Sequence, residues 1–321
     1  MLRTHIGHNV DIYPYQLLSS FLGLSDCFCI ISSVSLLIMV LRNVFKSSRF
    51  SKTGPGLVSR SFDGHRVDVL HPKRIGPNTP VLVIHDGMNV FFGRYASSGQ
   101  TWQIIESLAA GRILGDPLVI AVWGEGGVKK FNPRRINEFL CDDIFAAQPN
   151  LWETLSPMLT PSTREARGNY FIDLIADEIL PTVLSEFGIE HKAHRTALAG
   201  CSVAGVASIY ALAKRPEIFG AAFGLSSHWE FGGKDLIDAL IAQLGQANGR
   251  IIWSDSGTEG LDAASQPLNT YFGQQLAKVG WREQFDFETP TFWGAGHNES
   301  FWARRFEYPV NLWLERIEQS S

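Results

Sequence analysis

Short, largely apolar runs recur at residues 81–84, 117–123, 195–199, 220–225 and 250–254, each separated from the next by a segment with helical spacing. The runs are too short for helices and apolar at successive rather than alternate positions, the pattern of strands buried on both faces. Further strands are expected at 65–70 and 284–288, and helices at 102–110, 169–187, 203–214, 233–244, 266–279 and 299–317. The chain therefore predicts an α/β fold, a mostly parallel central sheet with helices on both faces. Right-handed crossovers put the loops that carry chemistry at the C-terminal strand ends, just after Ile84, Trp123, Ala199, Leu225, Ser254 and Thr289. Residues 124–166 are irregular and too long for a plain connection, as a lid or pocket wall would be. Pro181 is expected to kink the helix at 169–187.

With 321 residues, 45% of them apolar, the chain has material for one large core. Its 28 Lys and Arg against 32 Asp and Glu give a net charge of −4, which offers nothing to nucleic acid. The cysteines at 27, 29, 141 and 201 fit neither a disulfide framework nor a zinc site. The first 55 residues differ from the rest. Residues 17–41 are largely apolar and carry no charge but Asp26, and Arg42, Lys46, Arg49, Lys52 and Arg60 follow before the next acid, Asp63. Three readings stay open: a membrane anchor with its basic flank on the cytoplasmic side, part of an organelle-targeting peptide, or a leader upstream of a start at Met39. The anchor ranks first, so the location is either cytoplasmic or membrane-associated with the catalytic domain facing the cytoplasm. Residues 1–55 are set apart, and 56–321 form the expected domain.

At Gly200-Cys201-Ser202-Val203-Ala204-Gly205 a strand runs straight into a helix. The residue at such a joint is forced into a strained backbone, and the residues two before and two after it must be small. Gly200 and Ala204 meet that demand around Ser202, whereas Cys201 would be flanked by Ala199 and the β-branched Val203. Ser202 is the expected nucleophile and Cys201 a small packed residue. Among nine histidines, His297 in Gly294-Ala295-Gly296-His297 follows the last strand on a loop freed by glycine, and it is the expected base. His228 follows the strand at 220–225 and could line the pocket; His85 closes a strand in a turn that supplies backbone donors. Asp255, Glu259 and Asp262 lie after the strand at 250–254 as candidate acids. Asp255, at the strand end, is better placed to satisfy loop N–H groups, while Glu259 and Asp262 both reach farther out. Ligand spacing there fails for calcium, so no metal is expected. Backbone N–H groups of Val203 and Met88 are the expected oxyanion donors.

Several motifs in order resemble the putative-esterase branch of the α/β-hydrolases, which includes enterochelin-esterase-like, feruloyl-esterase-like and esterase-D-like enzymes. They are HDGMNVFF, Trp102, Arg135-Ile136-Asn137-Glu138-Phe139, AGCSVAG, DSGTEGLDA and GAGHNESFW, spread over residues 60–314. The resemblance implies an α/β-hydrolase fold and a serine esterase with a Ser-His-acid triad, needing no metal or cofactor and acting on a small-molecule ester. The aspartate of the G-T-x-x-L-D-A-like run matches Asp262, which makes Asp262 the acid and Glu259 the alternative. Three positions depart from the family pattern: Met88 for glutamine, Phe92 for aspartate and Ala204 for glycine. His228, Trp229, Trp123 and Trp302 are expected pocket walls. The same site would serve acyl transfer to an alcohol or thioester cleavage, and a rival of another class is a membrane-tethered, non-catalytic binding module.

Overall fold

The computed structural model describes residues 51–54, 56–96, 98–125, 133–155 and 164–319. Both the apolar stretch at 17–41 and the start at Met39 lie outside them. Among the described residues no helix is long and apolar enough to cross a membrane.

The strands are β1 Ser51–Gly54, β2 Leu57–Phe62, β3 His65–Leu70, β4 Val81–His85, β5 Leu118–Val122, β6 Thr196–Cys201, β7 Ala221–Leu225, β8 Ile251–Ser254, β9 Ser256–Gly257, β10 Phe287–Glu288 and β11 Thr291–Phe292. Nine of them form one sheet in the order β1-β2-β3-β5-β4-β6-β7-β8-β10. From β5 to β10 every neighbour is parallel, while β1, β2 and β3 join at the edge as antiparallel strands. Helices cover both faces, as the unbroken apolar runs require. The first four are α1 Ile104–Ala109, α2 Pro133–Asn137, α3 Asp142–Ala147 and α4 Leu151–Thr154. α5 Gly168–Asp173 and α6 Leu180–Phe187 follow, then α7 Val203–Lys214, α8 Gly233–Leu244 and α9 Leu261–Lys278. α10 Glu299–Arg305 and α11 Glu307–Gln319 close the chain. Alternate strand residues feed two cores: Val81, Val83, Leu198, Ala222 and Ile252 pack among α5 to α9, and Leu82, Ile84, Ala199, Phe223 and Trp253 pack with α1, α10 and α11.

Four elements differ from the sequence pattern, each for a local reason. The helix at 169–187 runs on through Pro181 as expected but carries a π-helical turn, Leu174–Ile179, just ahead of it, a common site of a helix bend. The strand at 284–288 shrinks to Phe287–Glu288, since Asp286 accepts from the backbone N–H and Nε of Arg282 and holds 282–286 as a turn. The helix at 299–317 is interrupted at Phe306; Pro309 has no N–H to give the carbonyl of Arg305. The helix expected from 266 starts at Leu261, behind Gly260 at φ 62°. Residues 133–155, within the irregular stretch, carry three short helices whose Ile136, Phe139, Leu140, Ile144, Phe145, Leu151 and Leu155 are buried.

α7 lies unusually close to the sheet. A Cβ added to Gly200 would stand 2.3 Å from the Ala204 carbonyl oxygen, and one on Gly205 would stand 3.0 Å from the Gly224 Cα. Backbone cannot yield to such a clash, so Gly200→Ala is expected to destabilise the domain by roughly 3 kcal/mol in urea unfolding. Gly76→Ala, where an added Cβ meets nothing within 4 Å, should leave the midpoint nearly unchanged. Equal midpoints for the two variants would show that α7 can move off the sheet.

Candidate active site

Ser202 is the single residue between β6 and α7, at φ 60° and ψ −128°. That conformation is strained for a residue with a Cβ. It is held by three hydrogen bonds: Ser202 N–H donates to the Leu225 carbonyl at 2.9 Å, and its own carbonyl accepts from Gly205 N–H at 3.1 Å and His228 N–H at 3.2 Å. The Ser202 side chain is half-buried at the start of a twelve-residue helix, where free N–H groups favour negative charge. Cys201, one residue earlier, is buried in the strand, and burial pushes its thiol well above the ordinary value. A thiol in that state is a packing residue.

His297 sits between β11 and α10, whose first turn is capped by the Asn298 side chain accepting from Ser300 and Phe301 N–H. Its Nδ1 lies 2.6 Å from Asp262 Oδ1, and its ring meets Trp302 edge-on at 5.2 Å between centroids. Asp262 stands in the first turn of α9 rather than on a loop, and its carboxylate is fully buried. Burial alone would raise its pKa. Hydrogen bonds from His297, Ser226 and Gly257 N–H outweigh burial and hold the carboxyl below its ordinary value. Gly257 is indispensable to this approach, because a Cβ there would fall 2.8 Å from Asp262 Oδ2 and 2.1 Å from the Ala295 carbonyl oxygen. Glu259, three residues away, is exposed, and its N–H donates to Ala295 O. Asp255 is equally buried but shifted the opposite way: burial raises it against Arg305, Trp253 and Ser226 N–H. Its partners are Ser226 N–H and the Trp253 indole, not the N–H groups of Ser256 and Gly257.

The turn after β4, Gly87–Asn89, is anchored from two sides. Asp86, at φ 56°, receives both Nε and Nη2 of Arg135, and a Cβ on Gly87 would collide with the Trp123 ring at 2.4 Å. Among the described residues neither Met88 N–H nor Val203 N–H has an acceptor. Behind the turn, His85 is buried against Phe139 and Phe171, and neither ring nitrogen has a hydrogen-bond partner among the described residues.

The expected pocket walls divide. His228 keeps a fifth of its side chain exposed and lies 6.1 Å from the His297 ring; burial lowers its pKa, so it is neutral at neutral pH. Trp229 is no wall: it is fully buried over Phe272 and donates toward Ser254 and Asn269. Trp123 is almost as deep, its indole N–H on Asp68 and its ring under the Arg66 guanidinium at 4.4 Å. Trp302 is buried too and donates to Ser226 Oγ at 2.8 Å. Sequence reasoning overlooked Ser226 and Arg305. Arg305 does leave a trace, a cation three positions after Trp302 on the apolar side of a helix. Among the described residues no cluster of His, Cys, Asp and Glu could hold a metal ion.

A sheet of this order, with a strained serine after β6 and an aspartate-bound histidine after the last strands, is the α/β-hydrolase arrangement. Residues 145–308, slightly more than half of the chain, match the family described as Putative esterase, and the chain belongs to that family. The enterobactin esterase Fes from Shigella flexneri is similar in structure, with 18% identity, a TM-score of 0.58 and coverage of 81% of this chain and 58% of its own. This chain thus spans less than two thirds of that enzyme's length. The enterobactin hydrolase IroE (17% identity, TM-score 0.57) covers 84% of this chain and 97% of its own. The BES protein from Bacillus cereus (15%, 0.56) covers 84% and 98%. At these identities the likeness is one of fold. No curated protein sequence matches the chain significantly.

Burial also lowers the His85 pKa to about 4. Below its ordinary value of 6.5 the unfolded chain binds a proton that folded His85 refuses, so stability falls as pH drops from 6.5 to about 4. The loss over that interval is on the order of 3 kcal/mol. Replacing His85 with Phe should flatten that part of the pH–stability curve in urea unfolding; an unaltered slope would mean that the buried ring takes up the proton.

Proposed function

We propose that the chain hydrolyses small-molecule carboxylic esters through an acyl-enzyme on Ser202. The observation that carries this reading is the 2.6 Å contact between His297 Nδ1 and the fully buried carboxylate of Asp262 on the strand-end face that also carries the strained Ser202. Asp262 holds the proton of His297 on Nδ1 and leaves Nε2 as the base. Ser202 Oγ attacks the ester carbonyl while Nε2 takes its proton, and the N–H groups of Val203 and Met88 receive the oxyanion. The imidazolium then protonates the departing alcohol, the C–O bond breaks, and an acyl-Ser202 remains. Water, deprotonated by the same nitrogen, repeats the addition and releases the acid with Ser202 restored. Asp262 stays ionised throughout, because its other oxygen is taken by Ser226 Oγ and Gly257 N–H.

Ser202→Ala should abolish p-nitrophenyl ester hydrolysis, with kcat down roughly a thousandfold or more, and should abolish labelling by a fluorophosphonate, while the far-UV spectrum stays that of the wild type. Cys201→Ala should keep most of the activity. Loss in Cys201→Ala with retention in Ser202→Ala would reverse the assignment, and a wild-type protein inert to both ester and fluorophosphonate would remove the catalytic reading. A panel of short-chain, aromatic and siderophore-type esters then ranks substrates.

A further inference from the structure

Arg305, at the end of α10, is 2% exposed and stands between two carboxylates with no exposed surface at all. Its Nη2 donates to Ser226 Oγ and lies 3.0 Å from Asp255 Oδ1 and 3.5 Å from Asp262 Oδ2. Nε and Nη1 are buried without a hydrogen-bond acceptor among the described residues, and the guanidinium lies over the Phe292 ring at 5.1 Å. A buried cation with all its polar contacts at one nitrogen contributes little to stability by itself, since desolvation offsets its attractions. Its position points instead to a part in the chemistry next to it.

Hydrogen-bond direction makes that part explicit. The Trp302 indole and the Arg305 guanidinium can only donate, and both donate to Ser226 Oγ. Ser226 has one proton, and the remaining partner for it is Asp262 Oδ2, at 2.5 Å. Asp262 is thereby an acceptor at Oδ2, and its Oδ1 faces His297 Nδ1. The backbone of Ser226, at φ 46°, is fixed in turn by its N–H on Asp255 Oδ1 at 2.8 Å. Charge follows the same route. Two carboxylates and one guanidinium leave a single net negative charge beside His297, matched to the one positive charge the imidazole gains when it takes a proton.

We infer that Arg305 is a positioning residue for the acid: it balances Asp255 against Asp262 and, with Trp302, orients the Ser226 hydroxyl so that Asp262 keeps the His297 proton on Nδ1. The inference deepens the proposed function and rests on its assignment of His297 and Asp262. Without Arg305 the two carboxylates face Ser226 uncompensated, and the stranded charge on Asp255 repels Asp262 across it. Ser226, whose N–H is on Asp255 and whose hydroxyl is on Asp262, then loses the alignment that serves both.

The test compares Arg305→Met, Arg305→Lys and Arg305→Met/Asp255→Asn in the full chain, by kcat and KM on p-nitrophenyl acetate and by the low-field proton resonance of His297 Nδ1–H recorded without substrate. Arg305→Met should lower kcat by roughly tenfold to a hundredfold with KM little changed, as small misplacements of catalytic groups do, and should lose the resonance. Arg305→Lys should fall between, and adding Asp255→Asn should restore most of both signals, because it removes the stranded charge. A folded Arg305→Met that keeps kcat and resonance overturns the inference. So does a double variant no better than the single one, since a packing role is not rescued by neutralising Asp255. Should Arg305→Met fail to fold, recovery of folding by Asp255→Asn supports the charge balance and its absence refutes it. If the wild type hydrolyses no ester, the esterase reading fails, while the resonance and its loss or survival in the variants still decide the role of Arg305.

Discussion

A helix can lie on a parallel sheet at backbone distance only where no side chain stands between them. Gly200 and Gly205 supply that condition under α7, with Gly224 opposite on β7. The close approach turns the chain from strand to helix within one residue and forces Ser202 to φ 60°. The strain is held by neighbouring strand ends: Ser202 N–H on Leu225 O, His228 N–H on Ser202 O, and Asp255 N–H on Gly224 O. The tips of β6, β7 and β8 are thus one hydrogen-bonded unit, and the loops carrying His228 and Asp255 are placed by the packing that places Ser202.

Below that surface, two aspartates show how environment separates like groups. Both are fully buried, yet Asp255 is pushed up and Asp262 is held down. The difference lies in the donors. Asp262 gathers an imidazole, a hydroxyl and a backbone N–H on its two oxygens. Asp255 has an indole, a backbone N–H and the shared guanidinium, and these do not overcome desolvation. Opposed shifts in neighbouring carboxylates accompany a division of roles in many sites.

The structural neighbours retain the architecture at 15–18% identity. Phe92, where the family pattern has an aspartate, packs edge-on against Tyr95 and under the cations of Arg66 and Arg94. The rim beside the Gly87–Asn89 turn is therefore aromatic and basic in this chain.

Much of the fold was legible because its signals are local. Successive apolar residues announce strands buried on both faces, and a small-residue pair around Ser202 announces the elbow, since each involves neighbours in sequence. The boundaries that shifted, at Gly260, Phe306 and Asp286, depend on a left-handed turn, a missing proline N–H and an Arg282 contact, still local but weaker than periodicity. What the sequence by itself determined is the sheet, the joint at Ser202 and a short set of candidates for base and acid. The contacts that build the site run across 35 positions for Asp262 and His297, 49 for Asp86 and Arg135, and 79 for Ser226 and Arg305. Spacing in the chain carries no information about such pairs. Asp255, Glu259 and Asp262 are all acids on one stretch of chain, and only the folded environment, with its burial and its donors, makes one a buried partner of His297, one a buried neighbour of Arg305 and one a surface acid.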